Sequence, residues 1–169
     1  MKQTDNFKFD EANVMNELVY RNLSEDAKRQ ICAWKYGGEY DLYNLPSYEE
    51  MQVRQIGFMN PQREKNYYGF WDESILVGFV NILEEKEEVF IGIGVNPDLC
   101  NKHYGQRMLL ITYEISKKLY PDKPLYLEVR TWNIRAVKCY QKAGFRIDGQ
   151  AYELTTGIGT GIFYRMIRE

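Results

Sequence analysis

Residues 89–110 have the sequence VFIGIGVNPDLCNKHYGQRMLL and combine a strand pattern, a polar loop and the start of a helix. The opening segment alternates between two faces, and its two glycines share a face with Phe90. A helix is predicted to begin at about Tyr104. A strand that leads into a helix N-terminus forms an anion site, because the first backbone N–H groups of a helix have no intrahelical acceptor. The stretch predicts either a ligand with a phosphate end and a long arm, or an ordinary strand–helix unit with a tight packing contact.

The chain has 169 residues, of which 44% are hydrophobic and 27% are charged, and its formal net charge is -2. This length and composition are typical of one globular domain. The small net charge provides no sequence-wide basic field that would favour nucleic acid. No apolar run approaches the roughly 20 residues of a membrane helix. We therefore expect neither a nucleic-acid nor a membrane partner.

Cysteine and histidine are scarce in this chain. The 3 cysteines, Cys32, Cys100 and Cys139, form no CxxC pair, and the N-terminal segment lacks the apolar core of a secretion signal. These features predict a reduced, cytoplasmic protein. The single histidine, His103, leaves little for a histidine-rich metal site or a Ser-His-Asp triad. The sequence therefore predicts no metal.

The predicted helix caps Ser24, Ser47 and Asn133, together with hydrophobic periodicity, predict the order of the elements. Residues 1–14 are predicted to form an N-terminal extension, and residues 15–169 a single domain. The predicted strands are at about 17–23, 66–72, 75–84, 88–95, 125–131, 145–156 and 162–168. The predicted helices are at about 25–36, 48–58, 104–120 and 134–143. The buried stripe of the 104–120 helix is predicted to be Met108, Ile111, Ile115 and Leu119.

The loop after the first helix alternates aromatic and acidic residues. Tyr36, Tyr40 and Tyr43 are interleaved with Glu39 and Asp41. Aromatic faces together with carboxylates suit a cationic amine, so Tyr36, Glu39, Tyr40 and Tyr43 are candidate substrate-binding residues. The alternative is a surface loop that the tyrosines anchor.

Several nucleotide and metal motifs are excluded. The Gly92-Ile93-Gly94 segment lacks the third glycine of a dinucleotide fingerprint, and the glycine-rich segment 157–161 precedes a strand instead of a helix. The chain also contains no GxxxxGK[ST] phosphate loop and no HExxH motif. These absences make a P-loop ATPase or a zinc protease a poor fit.

Two segments carry a family resemblance. GVNPDLCNKHYG (94–105) and LYLEVRTWNIRAVKCYQKAGF (125–145) together resemble the GNAT superfamily of acetyl-CoA-dependent N-acetyltransferases, and the similarity covers roughly residues 17–168. The family motif N-x-x-A-x-x-x-Y-x-x-x-G-F is met in full by Asn133, Ala136, Tyr140, Gly144 and Phe145. The phosphate-loop motif, Arg/Gln-x-x-Gly-x-Gly/Ala after V-x-P, is degenerate. Its signature positions hold Cys100, His103 and Gly105.

The resemblance implies an α/β (α+β) fold of the GNAT type. It implies a mixed, mostly antiparallel sheet of roughly six to seven strands with splayed central strands, flanked by about four helices. Gly94 fits a bulge at which the splay begins. The resemblance leaves a monomer and a homodimer both open.

The resemblance also implies acetyl-CoA as the cosubstrate. Backbone N–H groups of residues 101–106 would bind its pyrophosphate, and open main-chain groups of Ile93 and Val95 would hold the pantetheine arm. His103 at a glycine position either crowds the pyrophosphate, turns outward to bond it, or lies in solvent without a role. Lys102 is either a phosphate contact or a solvated side chain. The implied coenzyme A residues are Ile93, Val95, Cys100, Asn101, Lys102, His103, Tyr104, Gly105, Gln106, Asn133 and Tyr140.

Acetyl transfer to an amine requires two proton movements. The resemblance places Tyr140 as the acid that protonates the leaving thiolate; the alternative is a tyrosine that packs and only hydrogen-bonds the sulfur. The fourth-strand Glu of many family members is missing. Glu128 is therefore the candidate base or water-holder, with a structural ion pair as its alternative and Glu88, Glu39 and Asp41 as weaker candidates.

Two functions therefore remain from the sequence. The first is an N-acetyltransferase that acts on a small amine, an aminoglycoside-like molecule or a peptide N-terminus. Transfer is expected to be direct, without a covalent enzyme intermediate, because the 3 cysteines are poorly placed for one. The second is a non-catalytic coenzyme A sensor, which the degenerate loop and the missing fourth-strand Glu motivate. The complete motif around Tyr140 favours the enzyme, because a pure binding protein gains little from an acid.

Overall fold

The computed structural model describes residues 18–169, and the predicted extension at 1–14 lies outside the described residues. No helix within 18–169 has both the length and the apolarity that a membrane span requires. The strands are β1 (Val19–Asn22), β2 (Tyr67–Asp72), β3 (Ile75–Glu84), β4 (Val89–Val95), β5 (Leu125–Arg130), β6 (Arg146–Ile147), β7 (Tyr152–Thr156) and β8 (Gly159–Arg168). The α-helices are α1 (Glu25–Ala33), α2 (Tyr48–Arg54), α3 (Tyr104–Leu119) and α4 (Ile134–Lys142).

These strands form one mixed sheet in the order β1-β2-β3-β4-β5-β8-β6, and β7 pairs with the other end of β8. Every pair is antiparallel except β4 with β5, which confirms the predicted mixed sheet. The predicted strand at 145–156 is two strands, because Gly149 takes a φ of +74° between them and turns the chain out of the extended conformation. The described sheet therefore has 8 strands instead of six or seven.

The central strands separate after a short parallel contact. β4 and β5 pair only at Val89–Leu125 and Phe90–Tyr126. Beyond these pairs, β4 stays on β3 as far as Val95, and β5 stays on β8 as far as Arg130. The predicted splay of the central strands is confirmed, and it leaves a gap between two strand edges.

Each face of the sheet carries its own core. On one face, α3 packs Met108 and Leu109 against Val89 and Ile91 of β4, and all four side chains are essentially inaccessible. On the other face, α1 and α2 cover β2 and the start of β3, with Ile31 and Phe58 at the centre of the packing. Each fully buried apolar side chain contributes about 1.5–3 kcal/mol of transfer free energy. Helices α1 and α2 therefore cover the second face over β2 and the start of β3. The gap between β4 and β5 lies beside these helices.

The capping predictions hold at the helix starts. Ser24, Ser47 and Asn133 each accept a hydrogen bond from a backbone N–H in the first turn of the following helix. Two predicted helix ends were too late. α1 ends at Ala33 because the Asn44 side chain accepts the Tyr36 backbone N–H at 2.6 Å and holds that segment outside the helix.

Helix α2 also ends early, at Arg54 instead of about Phe58, because Gln55 (φ +50°) and Gly57 (φ +56°) adopt the left-handed conformation. In α3 the predicted stripe is confirmed at Met108, Ile111 and Ile115. Leu119 is 51% exposed because it lies on the last turn, beyond the sheet.

The predicted bulge at Gly94 is wrong. The β3–β4 pairing runs from Glu84–Val89 to Gly78–Val95 without a register shift, and the irregularity lies in β2 between Phe70 and Trp71. Gly94 is needed for a different reason, because the Phe79 ring of the neighbouring strand fills the space that a side chain would take.

Candidate active site

A cleft of about 880 Å³ passes through the gap in the sheet. Its walls include residues 91–95 of β4 and residues 127–130 of β5, the parts of the two strands that do not pair with each other. One end of the cleft opens at the start of α3, and we call it the cofactor half (residues 100–106, with the α4 residues that face them). The other end opens on the opposite face of the sheet, beside Phe79 and Phe90, and we call it the acceptor half.

Main-chain groups of β4 face this gap. Residue Asn96 donates its backbone N–H to Val77, and antiparallel strands alternate between bonded and non-bonded pairs. Gly92 and Gly94 therefore bond to β3, and the N–H and C=O groups of Ile93 and Val95 point toward β5. This geometry matches the expected open edge at Ile93 and Val95.

The sequence did not indicate that one of these groups already has a partner. The Tyr36 hydroxyl donates a hydrogen bond to the Val95 carbonyl at 2.6 Å. Burial raises the pKa of Tyr36 well above its usual value, so this hydroxyl stays protonated and remains a donor. Tyr36 therefore contacts the strand edge instead of offering a free ring to a cation.

The loop before α3 adopts the backbone shape that glycine usually provides. Asn101 has a φ of +62° and His103 a φ of +64°, and α3 begins immediately afterwards at Tyr104. A non-glycine residue in this conformation costs roughly 1–2 kcal/mol, yet the helix start is intact. The N–H groups of Tyr104, Gly105 and Gln106 are the first of the helix, and they have no acceptor within it.

The His103 side chain is exposed and makes no capping bond to α3. Lys102 is also exposed and lies outside the cleft lining, in contrast to Cys100, Asn101, His103 and Gln106, which line it. The loop is anchored by Tyr104, whose hydroxyl donates to the Asp72 carboxylate at 2.6 Å. His103 therefore adopts the left-handed backbone conformation that a glycine would otherwise provide at this position.

Gly105 lies where α3 and α4 come close together. A Cβ atom at this position would lie 3.0 Å from the Cys139 sulfur and 3.5 Å from the Val95 side chain. Burial raises the pKa of the Cys139 thiol to about 11. The thiol is therefore protonated near neutral pH, where the thiolate would be needed for nucleophilic attack. This agrees with the expectation of a reaction without a covalent cysteine intermediate.

Helix α4 brings positive charge to the cofactor half. The side chains of Arg135, Lys138 and Lys142 line the cleft. They lie three and four positions apart and so share a helix face. None of them occupies a fixed position of the family motif, so the motif alone does not indicate them. Asn133 caps the helix and also donates to the Tyr43 hydroxyl at 3.3 Å. These cations and the N–H groups of α3 suit a phosphate-bearing ligand.

Tyr140 lies on α4 and is half-buried against the main core. It lines the cleft, and no side chain within residues 18–169 hydrogen-bonds its hydroxyl. Burial raises the pKa of Tyr140 far above its usual value, with smaller contributions from Cys139 and two neighbouring tyrosines. The hydroxyl is therefore protonated at neutral pH and available to donate a proton or a hydrogen bond.

Glu128 lies on β5 and lines the same cleft. Tyr152 of β7 donates its hydroxyl to the Glu128 carboxylate at 3.0 Å, and burial with this bond raises the pKa of Tyr152 to about 12. Across the described part of the chain, no basic side chain forms an ion pair with Glu128, which contradicts the ion-pair alternative. No pattern in the sequence indicates Tyr152, because the contact forms only when β7 folds back along β8.

The other candidate carboxylates lie elsewhere. Glu39 and Asp41 are exposed and do not line the cleft. Glu88 is bonded to Arg165, away from the cleft. Glu128 is the one carboxylate that lines the cleft within residues 18–169. The described residues also contain no group of His, Cys, Asp and Glu side chains that could hold a metal ion.

The aromatic loop lines the cleft but is largely used internally. The rings of Tyr40 and Tyr43 lie 5.7 and 6.1 Å from the ring of Trp132. The Arg135 guanidinium lies 4.0 Å from the centre of the Tyr40 ring. The chain's own cation thus occupies the face that the sequence suggested for a substrate amine, which supports the alternative of a loop anchored by its tyrosines.

The chain is similar to a known protein family and to several solved structures. A family model described as the Acetyltransferase (GNAT) family matches residues 29–145. The spermidine N-acetyltransferase of Vibrio cholerae, solved in complex with CoA and spermine, is similar over 90% of this chain and 95% of that chain, at 17% identity and a TM-score of 0.71. A GNAT-family acetyltransferase from Bacillus anthracis is similar over 90% and 94%, at 16% identity and a TM-score of 0.69. No curated protein matches the sequence.

Proposed function

Since this chain belongs to the GNAT acetyltransferase family, we propose that it transfers the acetyl group of acetyl-CoA directly to a primary amine. The observation that carries the proposal is the cleft itself. It joins an open strand edge, a helix N-terminus and the protonated Tyr140 hydroxyl in one continuous space. A thioester with a phosphate end and an extended arm matches these three features in order.

The described residues fit coenzyme A. The N–H groups of residues 104–106 would bind the pyrophosphate at the start of α3, and the three basic side chains of α4 would meet the remaining phosphate charge. Ile93 would pair its main-chain groups with the amides of the arm. The Val95 carbonyl keeps one lone pair after bonding Tyr36. Bound acetyl-CoA supplies the acetyl thioester.

The two titratable side chains then divide the proton transfers. An amine acceptor of pKa about 10.4 arrives mostly protonated, and Glu128 accepts that proton directly or through a water. The free amine forms a C–N bond to the thioester carbonyl. As the C–S bond breaks, Tyr140 donates its proton to the departing sulfur. The nitrogen then gives its second proton to solvent, and the tyrosinate recovers a proton from solvent. Glu128 releases the first proton to solvent, and the products are an N-acetyl amide and the free thiol.

The acceptor class is supported by what related folds bind. The Vibrio cholerae enzyme was solved with spermine, an amine. A small amine, an aminoglycoside-like molecule and a peptide N-terminus all present a primary amine and belong to this proposal. A homodimer and a cytoplasmic location stay predictions from the sequence.

Replacement of the proposed acid tests the proposal. Thiol release from acetyl-CoA is measured across a panel of primary amines, with wild type, Tyr140→Phe and Tyr113→Phe. Tyr113→Phe is the matched control, because Tyr113 lies on α3 outside the cleft and its hydroxyl donates to the Glu169 carbonyl. We expect kcat to fall by about 100-fold or more in Tyr140→Phe and to stay near wild type in the control. Amine-dependent release that Tyr140→Phe leaves unchanged would contradict the assigned acid.

A further inference from the structure

The acceptor half of the cleft is walled by aromatic side chains. Trp34, Tyr67 and Phe79 line it from the face that α1 and α2 cover, and Phe90 lines it from β4. The ring centres of Trp34 and Tyr67 lie 6.3 and 6.4 Å from the centre of the Phe79 ring. The rings support one another, so this wall is a preformed apolar surface.

Charged side chains are sparse in the acceptor half, and among the described residues they are one carboxylate and one guanidinium. Glu128 is the one carboxylate that lines the cleft among the described residues. Arg130 projects from the same face of β5, two residues further along. It is 7% exposed, and its guanidinium donates to the carbonyls of Gly159 (3.2 Å) and Thr160 (3.4 Å). No carboxylate within residues 18–169 forms an ion pair with this guanidinium, so a buried positive charge lies near Glu128.

This arrangement accepts one ammonium and disfavours a second. The first ammonium would lie at Glu128, where it gives up its proton for the reaction. A second ammonium along the same molecule would meet either the aromatic wall or Arg130. A cation–π contact with the wall offsets only part of the cost of desolvating an ammonium that has no carboxylate partner. An apolar body on the first amine instead buries its surface against the four rings.

From this contrast we infer that the acceptor is a monoamine with an apolar or aromatic body, and that polyamines are poor substrates. The inference rests on the proposed acetyl transfer and adds the substrate class. It separates this chain from the Vibrio cholerae fold relative, whose solved complex contains spermine.

The test compares three amines on the full-length protein. The probes are 2-phenylethylamine, n-butylamine and spermidine; n-butylamine carries a four-carbon arm with a single amine and controls for chain length. We expect kcat/KM for 2-phenylethylamine to exceed that for spermidine by about 100-fold, with n-butylamine in between. Spermidine turnover equal to or above that of 2-phenylethylamine would overturn the substrate class and leave acetyl transfer standing. If none of the three amines gives thiol release, both the acetyl transfer and the substrate class are overturned.

A gain of negative charge gives a second, independent test. Ile158 lies at the tip of the β7–β8 hairpin, lines the cleft and is 46% exposed, so Ile158→Glu adds a carboxylate without disturbing the core. Ile75→Glu is the matched control, because Ile75 is 54% exposed and lies outside the cleft. We expect the preference for 2-phenylethylamine over spermidine to fall about fivefold in Ile158→Glu only. An unchanged preference in Ile158→Glu would contradict charge selection in the acceptor half.

Discussion

The cofactor half of the cleft presents mainly backbone, whereas the acceptor half presents mainly side chains. At the start of α3, N–H groups face the cleft whatever side chains the loop carries, and Cys100 and His103 occupy signature positions without disturbing the helix start. In the acceptor half, the proposed selectivity would depend on the identity of each ring and on Glu128, the one carboxylate that lines the cleft within residues 18–169. We therefore expect main-chain recognition to tolerate substitution and side-chain recognition not to tolerate it.

The largest expected effect lies in the acceptor half. Glu128→Gln removes the carboxylate that accepts the amine proton, and we expect kcat/KM to fall by about 100-fold. Affinity for coenzyme A should stay within about twofold, because the cofactor half is unchanged. Steady-state kinetics and calorimetric titration measure the two quantities. The control is Glu153→Gln, which changes an exposed glutamate of β7 outside the cleft. A loss of coenzyme A affinity in Glu128→Gln would contradict the division into halves.

Loss of the Tyr152–Glu128 hydrogen bond should reduce activity less than loss of the Glu128 carboxylate. Tyr152→Phe removes one hydrogen bond to the carboxylate, worth about 1.5 kcal/mol for a charged acceptor. We expect kcat to fall about tenfold, because the Tyr152 bond holds the carboxylate in place. Tyr20→Phe on β1, a half-exposed tyrosine outside the cleft, is the control. A kcat equal to that of wild type would show that Tyr152 is only a packing residue.

In the cofactor half, substitution of a signature residue should have little effect. His103→Gly relieves the left-handed strain but adds freedom to the unfolded chain, and the two terms are each about 1 kcal/mol. Because the imidazole makes no capping bond, we expect the dissociation constant of coenzyme A to change by less than about threefold. Gln55→Gly is the matched control, since Gln55 has a φ of +50° at the end of α2, outside the cleft. A tenfold weaker affinity in His103→Gly alone would show that the imidazole itself holds phosphate.

The smallest effect is expected at Cys139, on α4 beside Gly105 of α3. Cys139→Ala should keep kcat within about twofold, because the protonated thiol takes no part in acetyl transfer. A pKa of about 11 also predicts that alkylation of Cys139 by iodoacetamide rises with pH up to about pH 11, since only the thiolate reacts. Peptide mass spectrometry measures the labelling at each pH. Fast alkylation near pH 7, or a Cys139→Ala variant without activity, would reopen a covalent route.

Sequence patterns were most reliable where short-range physics decides the structure. The caps at Ser24, Ser47 and Asn133 and the helix start at Tyr104 follow from residues within one turn. The predicted end of α1 failed because Asn44, 8 residues along the chain, accepts the Tyr36 backbone N–H. The same limit applies to the site, because Tyr140 belongs to a contiguous motif whereas Tyr152 reaches Glu128 from 24 residues away.

The amino-acid sequence determined the family, the order of the elements and the residues of the two motifs, because local caps, strand alternation and contiguous spacing encode all three. Tertiary structure decided which main-chain groups remain open and what surrounds them. Only strand pairing shows that β4 and β5 part after Phe90, and only packing shows that Tyr36 and Arg135 use the surfaces that the sequence had assigned to ligands. The physical reason is that a lone pair or a ring face can be occupied by any residue that folding brings within reach.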